Sequence, residues 1–325
     1  MTATTPTTLP VTRAADLADV PTTRRWLVED LWGDEAVGIV GGEPKCCKSF
    51  LALDLAVAVA SGAPCMRRFA VARPGRVLLF AAEDALHVVR QRLAGIARAA
   101  GRELADLDVQ VITAPTVRLD VERDRDALTE TVATLRPRLL VLDPFVRLHR
   151  IDENISGEVA PLLAYLRELQ RRYHVAVVLV HHARKGGARM RAGQALRGSS
   201  EFHAWGDSNL YLRRHGDQLT LSVEHRAAAS ISNVHLVLDT ADTAIALRTI
   251  EHCATSAEGA VPATTPDLSL EQRLLDHLAA ATMPITATAL RKLCQVRNTA
   301  LHHALAALVE DGQVRKDRTG YALAR

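Results

Sequence analysis

The sequence predicts an α/β chain: a mostly parallel sheet with helices on both faces, followed by a small separate C-terminal domain. Three observations predict it. From Trp26 onward short apolar runs alternate with helical stretches, which is how a parallel sheet covered on both faces reads. The run Val37-Gly38-Ile39-Val40 leads through Gly41-Gly42-Glu43-Pro44-Lys45-Cys46-Cys47-Lys48-Ser49-Phe50 into a helix-like stretch, the strand, loop, helix context of a phosphate-binding loop. Beyond Leu247 the alternation ends, and Glu251 to Pro266 (EHCATSAEGAVPATTP) is small, polar and Pro-containing, as a linker is.

The elements follow in order. Residues 1–25, rich in Thr, Pro and Ala, are expected to form a flexible tail without the apolar core of a secretion signal. Strand Val37–Val40 is followed by helix Leu51–Ser61, strand Val77–Ala82 by helix Leu86–Ala100, and strand Val109–Thr113 by helix Arg125–Leu135. Leu139–Leu142 and Val175–Val180 are two further apolar strands. After Gly206 the candidates come close together, at Asn209–Leu212, Leu219–Val223, Val234–Leu238 and Ala244–Leu247, which predicts an antiparallel extension of the sheet. Residues 26–250 then make the large domain, 251–266 the linker and 267–325 the small domain.

At 325 residues with 48% hydrophobic side chains, the chain has material for one large core and one small one. The net charge of +3 is modest and carried by arginine, the lysines being Lys45, Lys48, Lys185, Lys292 and Lys316, so only local basic clusters bear on nucleic acid. Five cysteines without a CxxC pair argue against a disulfide framework and a thiolate zinc site, and fit a reducing cytoplasm. No segment approaches the ~20 apolar residues of a membrane span.

The loop matches GxxxxGK(S/T) at every position but one. In that pattern backbone amides wrap the phosphates, the lysine reaches the β/γ oxygens and the hydroxyl holds Mg2+, so ATP and Mg2+ are the expected ligands. Gly42, Glu43, Pro44, Lys45, Cys46, Cys47, Lys48, Ser49 and Phe50 are the candidate nucleotide-binding residues, with Ser49 on the metal. Cys47 stands where the second glycine belongs, and a Cβ there is expected to crowd the nucleotide or alter the loop, favouring binding over fast turnover.

Ligands of open α/β sheets sit at the carboxyl ends of the strands, so the residues that close the strands should converge on this loop. Leu139–Leu142 ends in Asp143, the expected metal-site acid. Val77–Ala82 ends in Glu83-Asp84: Glu83 is the candidate general base, and Asp84 the expected cap of the next helix. Val175–Val180 ends in His181-His182, where an imidazole can hydrogen-bond the γ-phosphate. The loop that follows, ARKGGARMRAGQALRG, holds Arg184, Lys185, Arg189, Arg191 and Arg197 and no acid, so it suits a single-stranded phosphate backbone without base readout.

In the small domain, helix Leu270–Ala281, a second helix Thr286–Leu293, a third Arg297–Glu310 and two short strands around a basic tip read as a winged helix-turn-helix. Arg297, Asn298 and His302 on the third helix, with Arg315 and Lys316 at the wing, are the candidate duplex-DNA contacts.

The segments GEPKCCKS, AAED, LLVLDP, VHHARK and LRGSS, in this order, resemble RecA-like P-loop ATPases, in particular the AAA_25 family and the RepA-type replicative helicases, over roughly Trp26 to Leu247. The resemblance implies a RecA-like core in which Glu83 is the catalytic glutamate, Asp143 the Walker B acid and His182 the sensor. It implies that Arg226, in LSVEHR, is an arginine finger supplied to the neighbouring subunit, and hence a homo-oligomer, with a hexameric ring among the expected assemblies. Cys47 in place of glycine, and Glu224 where hexameric helicases often carry lysine, depart from the pattern. The implied function is an ATPase acting on DNA in replication, helicase-like or mobile-element handling. The residues leave open a slow nucleotide-dependent switch that docks a partner protein on DNA.

Overall fold

The computed structural model describes residues 9, 11–17, 25–182, 201–216, 218–241, 244–250, 270–279, 283–294, 301, 304, 305, 308, 309, 311–317 and 320–324. The chain divides into two compact units, Met1–Ala254 and Thr255–Arg325.

After a 3-10 turn at Ala14–Asp16, within the stretch expected to be a tail, the first unit runs through a hairpin, β1 (Trp26–Val28) and β2 (Trp32–Gly33), and continues with β3 (Val37–Gly42), α1 (Lys48–Ser61), β4 (Val77–Ala81) and α2 (Leu86–Ala99). Next come β5 (Val109–Val111), α3 (Glu122–Leu135), β6 (Leu139–Asp143), α4 (Ser156–Tyr173) and β7 (Ala176–His182). A short α5 (Glu201–Trp205) precedes β8 (Ser208–His215), β9 (Gln218–His225), β10 (Ile231–Ala241) and β11 (Ala244–Thr249). β3 to β11 form one nine-stranded sheet in the order β11-β10-β9-β8-β3-β7-β6-β4-β5.

The central strands alternate between two cores. In β4, Val77 and Leu79 pack with α1 and α2 on one face, whereas Leu78 and Phe80 pack with α3 and α4 on the other. β6 and β7 divide their apolar residues the same way. Burial on both faces is why these strands read as unbroken apolar runs. α1 lies over the middle of the sheet with residues 51 to 59 all buried. Its buried Asp54 accepts from the Met66 amide at 2.7 Å and from Arg67 at 2.9 Å, which fixes the loop after the helix.

Two expectations change. The strand expected over Asn209–Leu212 belongs to the parallel set: Val40 pairs with Leu210 and Gly42 with Leu212, both in parallel register with β3, and the antiparallel part starts only with β9. The chain leaves β7 at the carboxyl edge and re-enters at the opposite edge, where the Asp207 amide donates to Val37 O at 2.8 Å, so β8 must run the same way as β3. The long helix α4 is the other addition. Its Leu162, Leu163, Leu166 and Leu169 are buried at helical spacing, a pattern interrupted in the sequence by Pro161 inside the helix.

In the second unit, α6 (Leu270–Ala279), α7 (Ala287–Cys294) and a hairpin of β12 (Val314–Lys316) and β13 (Tyr321–Leu323) enclose a small core. Leu274, Leu278, Leu290, Cys294, Leu301, Leu305, Leu308, Val314 and Tyr321 fill it. Ile285 exchanges both backbone hydrogen bonds with Tyr321 at 2.9 Å, adding a bridge to the hairpin. The expected linker 251–266 lies outside the described residues.

Candidate nucleotide site

The phosphate loop begins where β3 ends. Gly42 has φ +156°, and a Cβ there would stand 2.4 Å from Leu212 O and 2.6 Å from Cys46 Sγ, so only glycine fits. Lys45 and Cys47 both take left-handed conformations, φ 64° and 65°, each costing an L-residue about 1–2 kcal/mol. Cys47 is the N-cap of α1 without a side-chain cap, and its carbonyl accepts from the Leu51 amide at 3.0 Å. The backbone thus has the turn a glycine would supply, made with a cysteine under strain. The half-buried Cys47 Sγ lies 3.4 Å from Arg214 Nη2, which the sequence did not flag. Burial pushes the neighbouring Cys46 thiol up.

Lys48 is almost wholly buried, and its Nζ donates to Glu43 O at 2.8 Å, which keeps the ammonium inside the loop. Burial lowers its pKa, while Cys46, Asp143 and Glu83 pull the other way. The Ser49 hydroxyl lies near enough to Asp143 to favour its charged form. The Phe50 ring lies 5.2 Å from the Arg92 guanidinium, a packing contact between α1 and α2.

Asp143 closes β6 with 7% exposure. Its carboxyl is pushed up to about 6, first by burial and then by Asp84 and Glu83, against the pull of Ser49 and Lys48. The Ala82 amide donates to Asp143 O at 2.7 Å, tying the ends of β4 and β6 together and setting Glu83 beside the acid. Glu83 Oε1 accepts from Arg147 Nε at 3.0 Å, with both side chains about half exposed. A pair so open to water is worth about 0–1 kcal/mol and separates at little cost. Asp84 does not cap α2 as expected. The N-cap is Ala85, and Asp84 is drawn into an ion pair with Arg92, further along the helix.

The two histidines divide along the strand, as alternation requires. His181 is buried, stacked on Phe202 with ring centroids 4.4 Å apart and edge-on to Phe145 at 6.0 Å. His182 is partly buried and in register with Gly42, beside the start of the phosphate loop. Lys48, Ser49, Asp143, Glu83 and His182 therefore meet at one edge of the sheet. Ser49 and Asp143 present the hydroxyl and carboxylate oxygens that suit Mg2+, which takes few protein ligands and completes its shell from phosphates and water.

The family model AAA_25, an AAA domain, matches residues 3–188. This chain belongs to the AAA_25 family. Its fold is similar to that of a DnaB-like replicative helicase solved with its primase interactions, at TM-score 0.51 and 14% identity over 66% of this chain and 57% of that one. The chain thus spans little more than half of that helicase chain. The RadB recombinase aligns at TM-score 0.49 and 16% identity, over 67% of this chain and 92% of its own. The core of this AAA domain is a RecA-like P-loop NTPase fold.

Not every expected residue of the AAA domain joins the site. Arg226 stands at the opposite edge of the sheet: its amide donates to Asp207 O at 2.9 Å, and Asp207 in turn bonds Val37, the first residue of β3. The six residues of β3 separate it from the phosphate loop, roughly 20 Å. Its guanidinium pairs with Asp207 at 3.5 Å and bonds Ala204 O, lining a cavity of about 540 Å³ with His203, Arg213 and Glu224. Arg226 cannot serve its own subunit's site. Arg184, Lys185, Arg189, Arg191, Arg197, Arg297, Asn298 and His302 lie outside the described residues. Arg315 is exposed on β12; Lys316 is on the same strand, its side chain outside the description. Among the described residues no helix is long and apolar enough to cross a membrane.

Arg147 and Arg214 touch the candidate site, at Glu83 and Cys47, and nothing in the sequence pointed to either. Arg147 follows Asp143 by four residues at the end of a 3-10 turn, Phe145–Arg147, that carries no motif, and Arg214 becomes a neighbour of the loop only through the parallel pairing of β8 with β3.

Proposed function

We propose that this AAA domain binds ATP with Mg2+ and hydrolyses it to drive a motor or switch on DNA, in replication, helicase-like or mobile-element handling. The observation that carries the reading is the Lys48 ammonium held inside the loop, at 2.8 Å from Glu43 O, with Ser49 next to it, Asp143 closing β6 and Glu83 on the adjoining strand end.

Lys48 neutralises charge on the β- and γ-phosphates, and Ser49 with Asp143 would hold Mg2+, which supplies further charge neutralisation when bound. Glu83, released from Arg147, orients a water toward the γ-phosphorus and accepts its proton as the new P–O bond forms and the bond to the β-γ bridging oxygen breaks, leaving ADP and phosphate. His182 hydrogen-bonds the γ-phosphate and registers its loss. Arg226, at the far edge, acts on the nucleotide of a second copy in a ring-like homo-oligomer. Arg184, Lys185, Arg189 and Arg191 contact single-stranded DNA, and the C-terminal unit docks on duplex through Arg297, Asn298, His302, Arg315 and Lys316. The two helices α6 and α7 and the β12–β13 hairpin around the core of the second unit support a winged helix. A cytoplasmic location fits this role.

Strain at Cys47 favours a second reading, a slow nucleotide-dependent regulator or loader. ATP turnover measured with single-stranded DNA, duplex DNA and none separates the two. A motor is stimulated at least several-fold by one of them. A loader binds DNA with its hydrolysis unchanged.

A further inference from the structure

We propose that Arg214 is a nucleotide ligand of the same subunit, gripping the nucleoside end of the phosphate chain at the α-phosphate. The proposal rests on the nucleotide-site reading and adds to it a residue that lies in none of the loop's own motifs.

Three observations place it. β8 runs parallel beside β3 with Gly42 opposite Leu212, so the chain at Arg214 overhangs the start of the phosphate loop. Leu210 and Leu212 pack in the core that α1 covers, and alternation puts Arg214 on that same face, level with the loop that leads into α1. The contact confirms the placement: Arg214 Nη2 lies 3.4 Å from Sγ of Cys47, the residue before Lys48. The guanidinium is exposed, and among the described residues no carboxylate pairs with it. An uncompensated cation at a loop built for phosphates, seated on that loop by a sulfur, has an anion as its natural partner.

Sheet order decides which phosphate. β7, β6 and β4, carrying His182, Asp143 and Glu83, all lie on one side of β3, and β8 lies on the other. The γ-phosphate faces the groups that act on it, so the chain of phosphates runs away from them and its nucleoside end comes toward β8. A contact there is equal in the ground and transition states. It strengthens binding without changing the chemical step. Cys47 thereby acquires a role: its side chain gives Arg214 a resting place that glycine lacks.

Calorimetric titration of the full chain with a non-hydrolysable ATP analogue and with ADP, both with Mg2+, tests this on wild type, Arg214→Ala, Arg214→Lys and Lys48→Ala. Losing one charge-assisted hydrogen bond should weaken both ligands about tenfold in Arg214→Ala, with KM for ATP raised in step and kcat unchanged. Arg214→Lys should recover most of the loss, because a phosphate contact needs charge rather than a plane. Wild-type affinity in Arg214→Ala overturns the proposal. So does a loss confined to the triphosphate, which would put the guanidinium at the γ end, and so does a failure of lysine to rescue, which would indicate stacking on the base. If Lys48→Ala loses binding while Arg214→Ala keeps it, this assignment alone fails; if Lys48→Ala also binds as wild type does, the nucleotide site itself is wrong.

Discussion

Replacing Cys47 with glycine should improve both the stability and the turnover of this AAA domain while loosening its hold on nucleotide. Cys47 sits at φ 65° and ψ 26°, a left-handed conformation forced on a residue with a Cβ. Relief of that strain is worth about 1–2 kcal/mol, against about 0.5–1 kcal/mol for the extra freedom of glycine in the unfolded chain. Taken at their midpoints the two leave a net gain of about 0.75 kcal/mol, or roughly 1.5–3 °C in Tm for a domain of this size. The substitution also removes the sulfur under Arg214, so ATP and ADP should bind a few-fold more weakly, while the loop can approach the phosphates more closely and kcat should rise. Thermal unfolding without nucleotide, titration with ADP and steady-state ATPase assays read the three effects separately. Cys47→Ala is the control, since it loses the sulfur but keeps the Cβ and its strain; it should share the weaker binding and not the gain in Tm. A glycine variant no more stable than the alanine variant, or one with a lower kcat, would refute the strain argument and show a loop adapted to cysteine.

Asp143 gives a pH signature in metal-free buffer: with its carboxyl at about 6, the folded state keeps a proton that the unfolded chain releases near 4, so stability falls as pH rises from about 4 to about 6. Asp143→Asn should flatten that fall and, at pH 7 in chelator, stabilise the protein by about 1–3 kcal/mol; equal denaturation midpoints for variant and wild type at both pH 4.5 and 7.5 would contradict it. Arg226→Ala should lower kcat at least ~1,000-fold, as loss of an arginine finger does. Mixing it with the equally inactive Lys48→Ala should restore activity, because a hybrid pair contains one intact site; no recovery on mixing would remove the finger assignment.

The apolar runs at Val37, Val77, Leu139 and Val175 were legible because both faces of their strands are buried, and no other environment tolerates such sequences. The edge strands carry less of that signal. β11 was placed, but the direction of β8 was hidden, since direction is set by where the chain re-enters the sheet and not by the residues in it. α4 escaped because Pro161 interrupts its pattern. In the candidate site, Lys48 and Ser49 were readable from the GxxxxGK(S/T) pattern, and Asp143, Glu83 and His182 from strand ends, a rule of topology that needs no coordinates. Arg147 and Arg214 were not, because each meets the site by crossing from a neighbouring strand or loop, through contacts of 3.0 Å to Glu83 and 3.4 Å to Cys47 that sequence spacing does not encode. Asp84 shows the converse: a residue well placed in sequence for a cap is captured by Arg92 instead.

The central claim is that the loop binds ATP and that Glu83 then works on it, so the most direct measurement compares ATP binding and hydrolysis in Glu83→Gln and Lys48→Ala alongside wild type. Glutamine keeps the shape and loses the base: Glu83→Gln should bind ATP as tightly as wild type and hydrolyse it at least ~100-fold more slowly. Lys48→Ala should fail to bind, because Lys48 is the ammonium held inside the loop. Wild-type hydrolysis by Glu83→Gln, or undiminished ATP affinity in Lys48→Ala, would contradict the account.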